Sequence, residues 1–189
     1  MTAVLSPRRP RRWIGFFVVL AILAAVAVLV PLVYNLSIQL HPGQLAQARE
    51  RWQKQAPLNY DLEYLVRTTH PDQEEEDAYL VQVRSGQTVL VVHDNEVVYL
   101  DPSLAFAAGV GVLALSSESP QQYGVPALFD AMEMMLRQEG PAGRRNFATA
   151  QFDPQDGHPF HYVYRVRGTK ERTEWNIKMT PLPPAHSLR

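Results

Sequence analysis

The chain has 189 residues, with 18 Lys and Arg, 19 Asp and Glu and no cysteine, which is room for one domain plus an appendage. The charge is unevenly placed: Arg8, Arg9, Arg11 and Arg12 precede a long apolar run and every acid follows it, leaving 14 basic against 19 acidic residues, a net −5, from Asn35 onward. An acidic domain lacks the charge that nucleic-acid binding rests on, and a cysteine-free chain has no disulfide, thiolate metal site, Cys nucleophile or lipidated N-terminal Cys.

Residues 13–30 form an unbroken run of 18 apolar or glycine residues, and Pro31-Leu32-Val33-Tyr34 extend it to 22. About 20 residues cross a hydrocarbon core roughly 30 Å thick. Trp13 and Tyr34 stand at its two ends, where amphipathic rings favour the headgroup level. The four arginines lie before the run, and the next Lys or Arg after it is Arg49. The bias of positive charge towards the cytoplasm therefore predicts residues 1–12 as a cytoplasmic N-terminus, 13–34 as a single transmembrane helix and the rest as extracytoplasmic. A cleaved signal peptide is the competing reading. Its apolar core should be shorter, about 7–15 residues, and the A-x-A match Ala25-Val26-Ala27 lies inside the run rather than after it. The arginine pairs faintly suggest twin-arginine export, against which the very apolar core argues.

Residues 35–44 read as a linker, broken by His41-Pro42-Gly43, and the folded domain as 45–182, with 183–189 a flexible tail. Leu45, Ala48 and Trp52 recur at helical spacing up to Pro57. From Asn59 the period changes, and Tyr60, Leu62, Tyr64 and Val66 alternate with polar residues as in a half-buried strand. His70-Pro71-Asp72 and the acidic run 74–77 predict a solvated loop, because like charges repel. A strand over 78–84 follows, with Tyr79, Val81 and Val83 on one face. Ser85-Gly86 predicts a hairpin turn into 88–92, and His93-Asp94-Asn95 a further turn into 97–100.

Residues 101–122 follow no clear period. The small apolar stretch 105–115 is too short to span a bilayer; packing as an irregular cover is the favoured reading, and exposure to a partner or the membrane the alternative. Val125, Leu128, Phe129, Met132, Met135 and Leu136 then form a helical stripe, with Pro126 early and Gly140 just past the end. Such a stripe is a core face. The last third reads as a meander: a strand over 145–152, a turn at Asp153-Pro154-Gln155-Asp156-Gly157, a strand with Phe160, Tyr162, Tyr164 and Val166 inward, and a strand with Thr173, Trp175, Ile177 and Met179 inward. The fold class is α+β: an antiparallel sheet of five to six strands, with one or two helices packed on one face, preceded by one transmembrane helix.

Several local motifs now stand in a definite order. They are Trp52, Tyr60, Val81-Gln82-Val83-Arg84-Ser85-Gly86, Val125 with Leu128-Phe129, Phe152-Asp153 with Gly157-His158-Pro159, and Glu174-Trp175. This order resembles a family of small bacterial exported or membrane-anchored domains of unknown function, over residues 46–182. In that family an aromatic residue precedes the last proline, where this chain has His158, and the stretch 101–122 is longer here. The resemblance implies fold and envelope location, and no activity.

Asp153, Asp156, His158 and His161 are the one cluster with the composition of a metal or acid–base site. A metal needs three or four ligands converging at about 2 Å, and His158 and His161, at odd spacing on a strand, would point to opposite faces. Asp-Pro and Asp-Gly pairs are also ordinary turn chemistry. The sequence holds no phosphate-binding Gly-rich loop, no G-x-S-x-G elbow and no H-E-x-x-H. No catalytic, metal-binding or cofactor-binding residue is therefore assigned. The expected function is a non-enzymatic interaction module at the cell envelope. Its expected partners are the lipid bilayer, through the N-terminal helix, and an envelope protein. The alternatives are a metal-dependent hydrolase or other enzyme using the region from Asp153 to His161, and a membrane-tethered inhibitor or assembly factor.

Overall fold

The structure is a computed structural model describing residues 12–107, 119–139, 143 and 146–183. Two compact units divide it, one up to Gln39 and one from Leu40. The first is helix α1 (Arg12–Ser37), 26 residues long. Its large apolar side chains are exposed wherever they are described: Phe16, Phe17, Leu20, Leu23, Val26 and Leu29 all stand at half or more of full exposure. Among the described residues no helix is long and apolar enough to cross a membrane.

The second unit begins with α2 (Pro42–Gln55), whose first residue is a proline preceded by the capping residue His41. Strands β1 (Tyr60–Thr69), β2 (Glu74–Arg84), β3 (Gln87–His93) and β4 (Glu96–Leu100) follow, then the short helix α3 (Pro102–Ala107), a 3-10 turn Pro120–Gln122, α4 (Val125–Arg137), and β5 (Phe147–Phe152), β6 (Pro159–Arg165) and β7 (Arg172–Pro181). All pairings are antiparallel, in the order β4-β3-β2-β1-β7-β6-β5.

The sheet thus has seven strands rather than five to six. The extra strand is explained by two tight turns of one kind. Ser85-Gly86 takes φ of 52° and 76°, and Asp94-Asn95 takes 48° and 68°. Positive φ at both central positions is the two-residue geometry that folds a strand straight back on its neighbour, so even the five-residue β4 is held against β3.

One face of the sheet carries the core. Leu62, Val81, Val91 and Tyr162 are fully buried, and Tyr60, Tyr64, Val83, Ala148, Tyr164, Trp175 and Ile177 nearly so. The apolar stripes of α2 (Leu45, Ala48, Trp52) and α4 (Val125, Leu128, Phe129, Met132) close over them in a single cluster, with Trp52 edge-on to Tyr60 and Phe129 stacked on Phe152. Met135 and Leu136 pack at its rim. α4 ends at Arg137; Gly140, expected just past that end, lies outside the described residues, as do Arg145 and residues 108–118. No local side chain caps α4 at Gly124. Burial raises the Tyr60 phenol to about 12, with the Val125 backbone opposing the rise.

Two expectations need correction. The acidic run 74–77 is no loop: it opens β2 and pairs with β1, Glu74 opposite Thr69 and Glu76 opposite Arg67. Arg67 bonds Glu76 through two nitrogens at 2.7 and 3.0 Å and meets Glu74 at 3.3 Å, so one cation offsets the repulsion that the sequence suggested. Phe160, expected inward, is 41% exposed, and its neighbour Pro159 is fully buried. The register between β5 and β6 slips at this point, with Gln151 opposite His161 but Phe152 opposite Pro159. Phe160 is the extra residue of a β-bulge, which turns it out of the pleat.

Candidate functional site

The turn from β5 to β6 brings three of the four candidate residues together. The Asp153 carboxylate accepts the Gln155 and Asp156 amides at 2.7 and 3.3 Å, and Gly157 N–H donates to the Asp153 carbonyl at 3.0 Å. The Asp156 carboxylate accepts the His158 amide at 3.0 Å and faces His158 Nδ1 at 2.6 Å. His158 is buried. One donor atom from each of Asp153, Asp156 and His158 lies within 4.8 Å of the others, so the set could offer up to three ligands to a cation. Doing so would require breaking the Asp156–His158 bond that orients the imidazole. His161 is not part of this group. It lies on the other face of the sheet, with Nε2 3.2 Å from Glu174 Oε1.

A second group, which sequence reasoning missed, lies at the far side of the sheet. The rings of Tyr64, Tyr79 and His93 stack in a row, with centroids 4.7 and 4.3 Å apart, and His93 Nε2 stands 3.2 Å from Asp77 and 3.3 Å from Asp94. Counting back from the Ser85-Gly86 turn would put His93 opposite Ala78, on the opposite face. A register shift between Gln82 and Val83 puts it opposite Tyr79 instead. Asp94 also serves the turn, since its carboxylate accepts the Ala78 amide at 2.9 Å. The signal in the sequence was only the His93-Asp94 pair at a predicted turn.

The face of the sheet away from α2 and α4 carries a ladder of charge across four strands. Arg67 on β1 lies opposite Glu76 on β2 and Glu174 on β7, Arg172 and His161 both contact Glu174, and Lys178 approaches Glu63 at 3.6 Å. Glu63, Arg67, Glu76, Asn176 and Lys178 are exposed. The His161 bond, then Arg172 and Arg67, hold the Glu174 carboxyl below its ordinary 4.5. A depressed folded-state value adds stability above the unfolded value, which is lost as pH falls through the folded one. Glu174→Gln is therefore expected to flatten the acid side of the melting-temperature profile below about pH 4.5 and to change neutral stability by less than about 1 kcal/mol, because the group is partly solvated. An unchanged acid limb in thermal melts would remove Glu174 from the account.

These features define an α+β domain with an open, seven-stranded antiparallel sheet, helix-covered on one face and charged on the other. No protein-family model matches the chain, nor does any curated protein. Among solved structures there is a distant likeness to MucB, in a crystal structure of MucB in complex with MucA(peri), with a TM-score of 0.28 and 13% identity over 77% of this chain and 59% of that one. The chain thus spans under two thirds of that protein's length. A likeness this slight carries no argument about fold or function.

Proposed function

We propose that this is a single-pass envelope protein, with α1 as its membrane anchor, its N-terminus in the cytoplasm and its α+β domain outside, acting as a non-enzymatic interaction module. The observation that carries the anchor is the 26-residue α1, which has no charged residue after Arg12, shows apolar side chains to its surroundings on every side, and follows four arginines. At 1.5 Å per residue such a helix reaches about 39 Å, enough for the hydrocarbon core. The resemblance to small bacterial exported domains supports the same location.

The interaction reading rests on the open sheet face. Its charged ladder is exposed and rigidly held by strand pairing, which suits recognition of a protein partner by complementary charge. The Asp and His clusters, by contrast, are spent largely on turn and strand bonds. A photo-crosslinking side chain placed at Asn176 in intact cells should give a discrete adduct, and one at Met134 on α4 should not. Equal labelling at both positions, or none, would remove the open face as the contact surface, and full-length chain in the soluble fraction would remove the anchor. Convergence of Asp153, Asp156 and His158 favours one second reading, a metal-dependent hydrolase. Stoichiometric zinc in the purified full chain, lost on Asp156→Asn, would put that reading first.

A further inference from the structure

The exposed apolar residues of the folded unit include a pair that is held in place rather than scattered. The Asp101 amide donates to the Val89 carbonyl at 2.8 Å, extending the β4–β3 ladder by one step. Its carboxylate caps α3 by accepting the Ser103 amide at 2.9 Å and the Ser103 hydroxyl, and the Ala105 amide donates to the Asp101 carbonyl at 2.9 Å. Ala105 is fully buried, while Phe106 is 85% and Leu104 45% exposed. The short helix is thus pinned through Ala105 and presents a phenylalanine and a leucine to the outside. Asp101 and Glu118 bracket a sequence without a single charge, Pro-Ser-Leu-Ala-Phe-Ala-Ala-Gly-Val-Gly-Val-Leu-Ala-Leu-Ser-Ser, in a chain where one residue in five is charged. Apolar surface of this kind is unfavourable in water and gains from a suitable cover.

We propose that Phe106 and Leu104 form a second membrane contact, dipping into the headgroup and acyl boundary of the bilayer that holds α1. The proposal rests on the anchoring reading above. Only residues 38–41 separate the end of α1 from the start of α2, a reach of about 14 Å when fully extended. An anchored α1 therefore keeps the folded unit beside lipid at high effective concentration. Under that condition a contact far too small to recruit a free protein is sufficient, because its association is intramolecular. Lipid fits the uncharged composition: a protein partner recognised with specificity would be met by polar groups at the rim, and between Asp101 and Glu118 the sequence supplies none that is charged.

The absence of native cysteine makes a direct test simple. Single variants Leu23→Cys, Phe106→Cys and Lys178→Cys of the full chain would each carry an environment-sensitive fluorophore, in vesicles of zwitterionic and anionic phospholipid brominated at a shallow or a deep acyl position. The expected result is loss of emission at 106 chiefly with shallow bromines, at 23 chiefly with deep ones, and at 178 with neither. Quenching at 23 but not at 106 overturns the second contact and leaves the anchor standing. No quenching at either position overturns both. A label at 106 that is shielded from aqueous iodide yet untouched by lipid bromine means that protein covers it, a second copy or this chain's own residues, and also overturns the proposal. The exposure of Phe106 keeps its substitution compatible with folding, and unchanged thermal melts of the labelled chain check this.

Discussion

Gly157→Ala is expected to destabilise the folded domain by about 3 kcal/mol. Gly157 takes φ of +82°, where a side chain is strained, and a Cβ there would lie 2.4 Å from the Ala48 carbonyl oxygen and 3.0 Å from Arg51 Cβ. Neither neighbour can step aside cheaply. The Ala48 carbonyl belongs to the backbone of α2, whose Leu45, Ala48 and Trp52 are locked in the core. The turn carrying Asp153, Asp156 and His158 would have to lift from the helix, so circular dichroism melts should fall by about 6–12 °C. A variant that melts within about 1 °C of the parent would show that the turn and α2 are not in this close contact. The same experiment bears on the candidate cation site, because any ligand set at this turn depends on the same packing.

Tyr162→Phe is expected to act in the opposite direction, raising stability by about 1–2 kcal/mol. The Tyr162 side chain is fully buried between strands and helices, its ring tilted against Trp175 with centroids 4.9 Å apart, and among the described residues its hydroxyl has no hydrogen-bond partner. A buried hydroxyl without a partner retains its desolvation cost, and phenylalanine removes that cost while keeping the ring. Tyr164→Phe is the matched control. Its hydroxyl accepts from Asn146 Nδ2 and donates to Gln138 Oε1 at 3.3 Å, and Asn146 is buried, so the same deletion there should cost about 1–2 kcal/mol.

The Tyr162 phenol also bears on stability at high pH. Burial, with a smaller contribution from Tyr164, pushes the Tyr162 phenol far above its ordinary 10.0, as burial does for Tyr64. A raised folded-state value gives stability that is complete below the unfolded value near 10 and lost as pH rises beyond it. Tyr162→Phe should therefore soften the alkaline fall in melting temperature. A lower melting temperature for Tyr162→Phe at neutral pH would mean that this hydroxyl is bonded after all.

Much of the fold was readable because the periodic signals were strong and local. The stripe from Val125 to Leu136 is α4, and the alternation of Tyr60, Leu62 and Tyr64 is the inner face of β1. Ser85-Gly86 and Asp94-Asn95 turn as their residue types require. The acidic run was misread because repulsion between neighbours in sequence is visible and relief from another strand is not. Arg67, which relieves it, sits opposite Glu76 through a hairpin loop closed by the His70 amide bonding the Gln73 carbonyl. Of the candidate site, the Asp153 to His158 turn was legible because its bonds are all short-range. The Asp77–His93–Asp94 group was not, because it depends on pairing between strands.

By itself the sequence determined the apolar helix behind its four arginines, the α+β class and the apolar stripes of α2, α4, β1 and β7, since each follows from composition and period within a short window. Tertiary structure alone decided which polar residues meet. Register shifts occur in the β2–β3, β3–β4 and β5–β6 pairs, and each inserts one residue into a pattern of period two. One inserted residue moves every later side chain to the other face. That is why His93 lies under Tyr79 and Phe160 faces water, and why a reading that assumes unbroken alternation finds the strands but misplaces the side chains beyond each bulge.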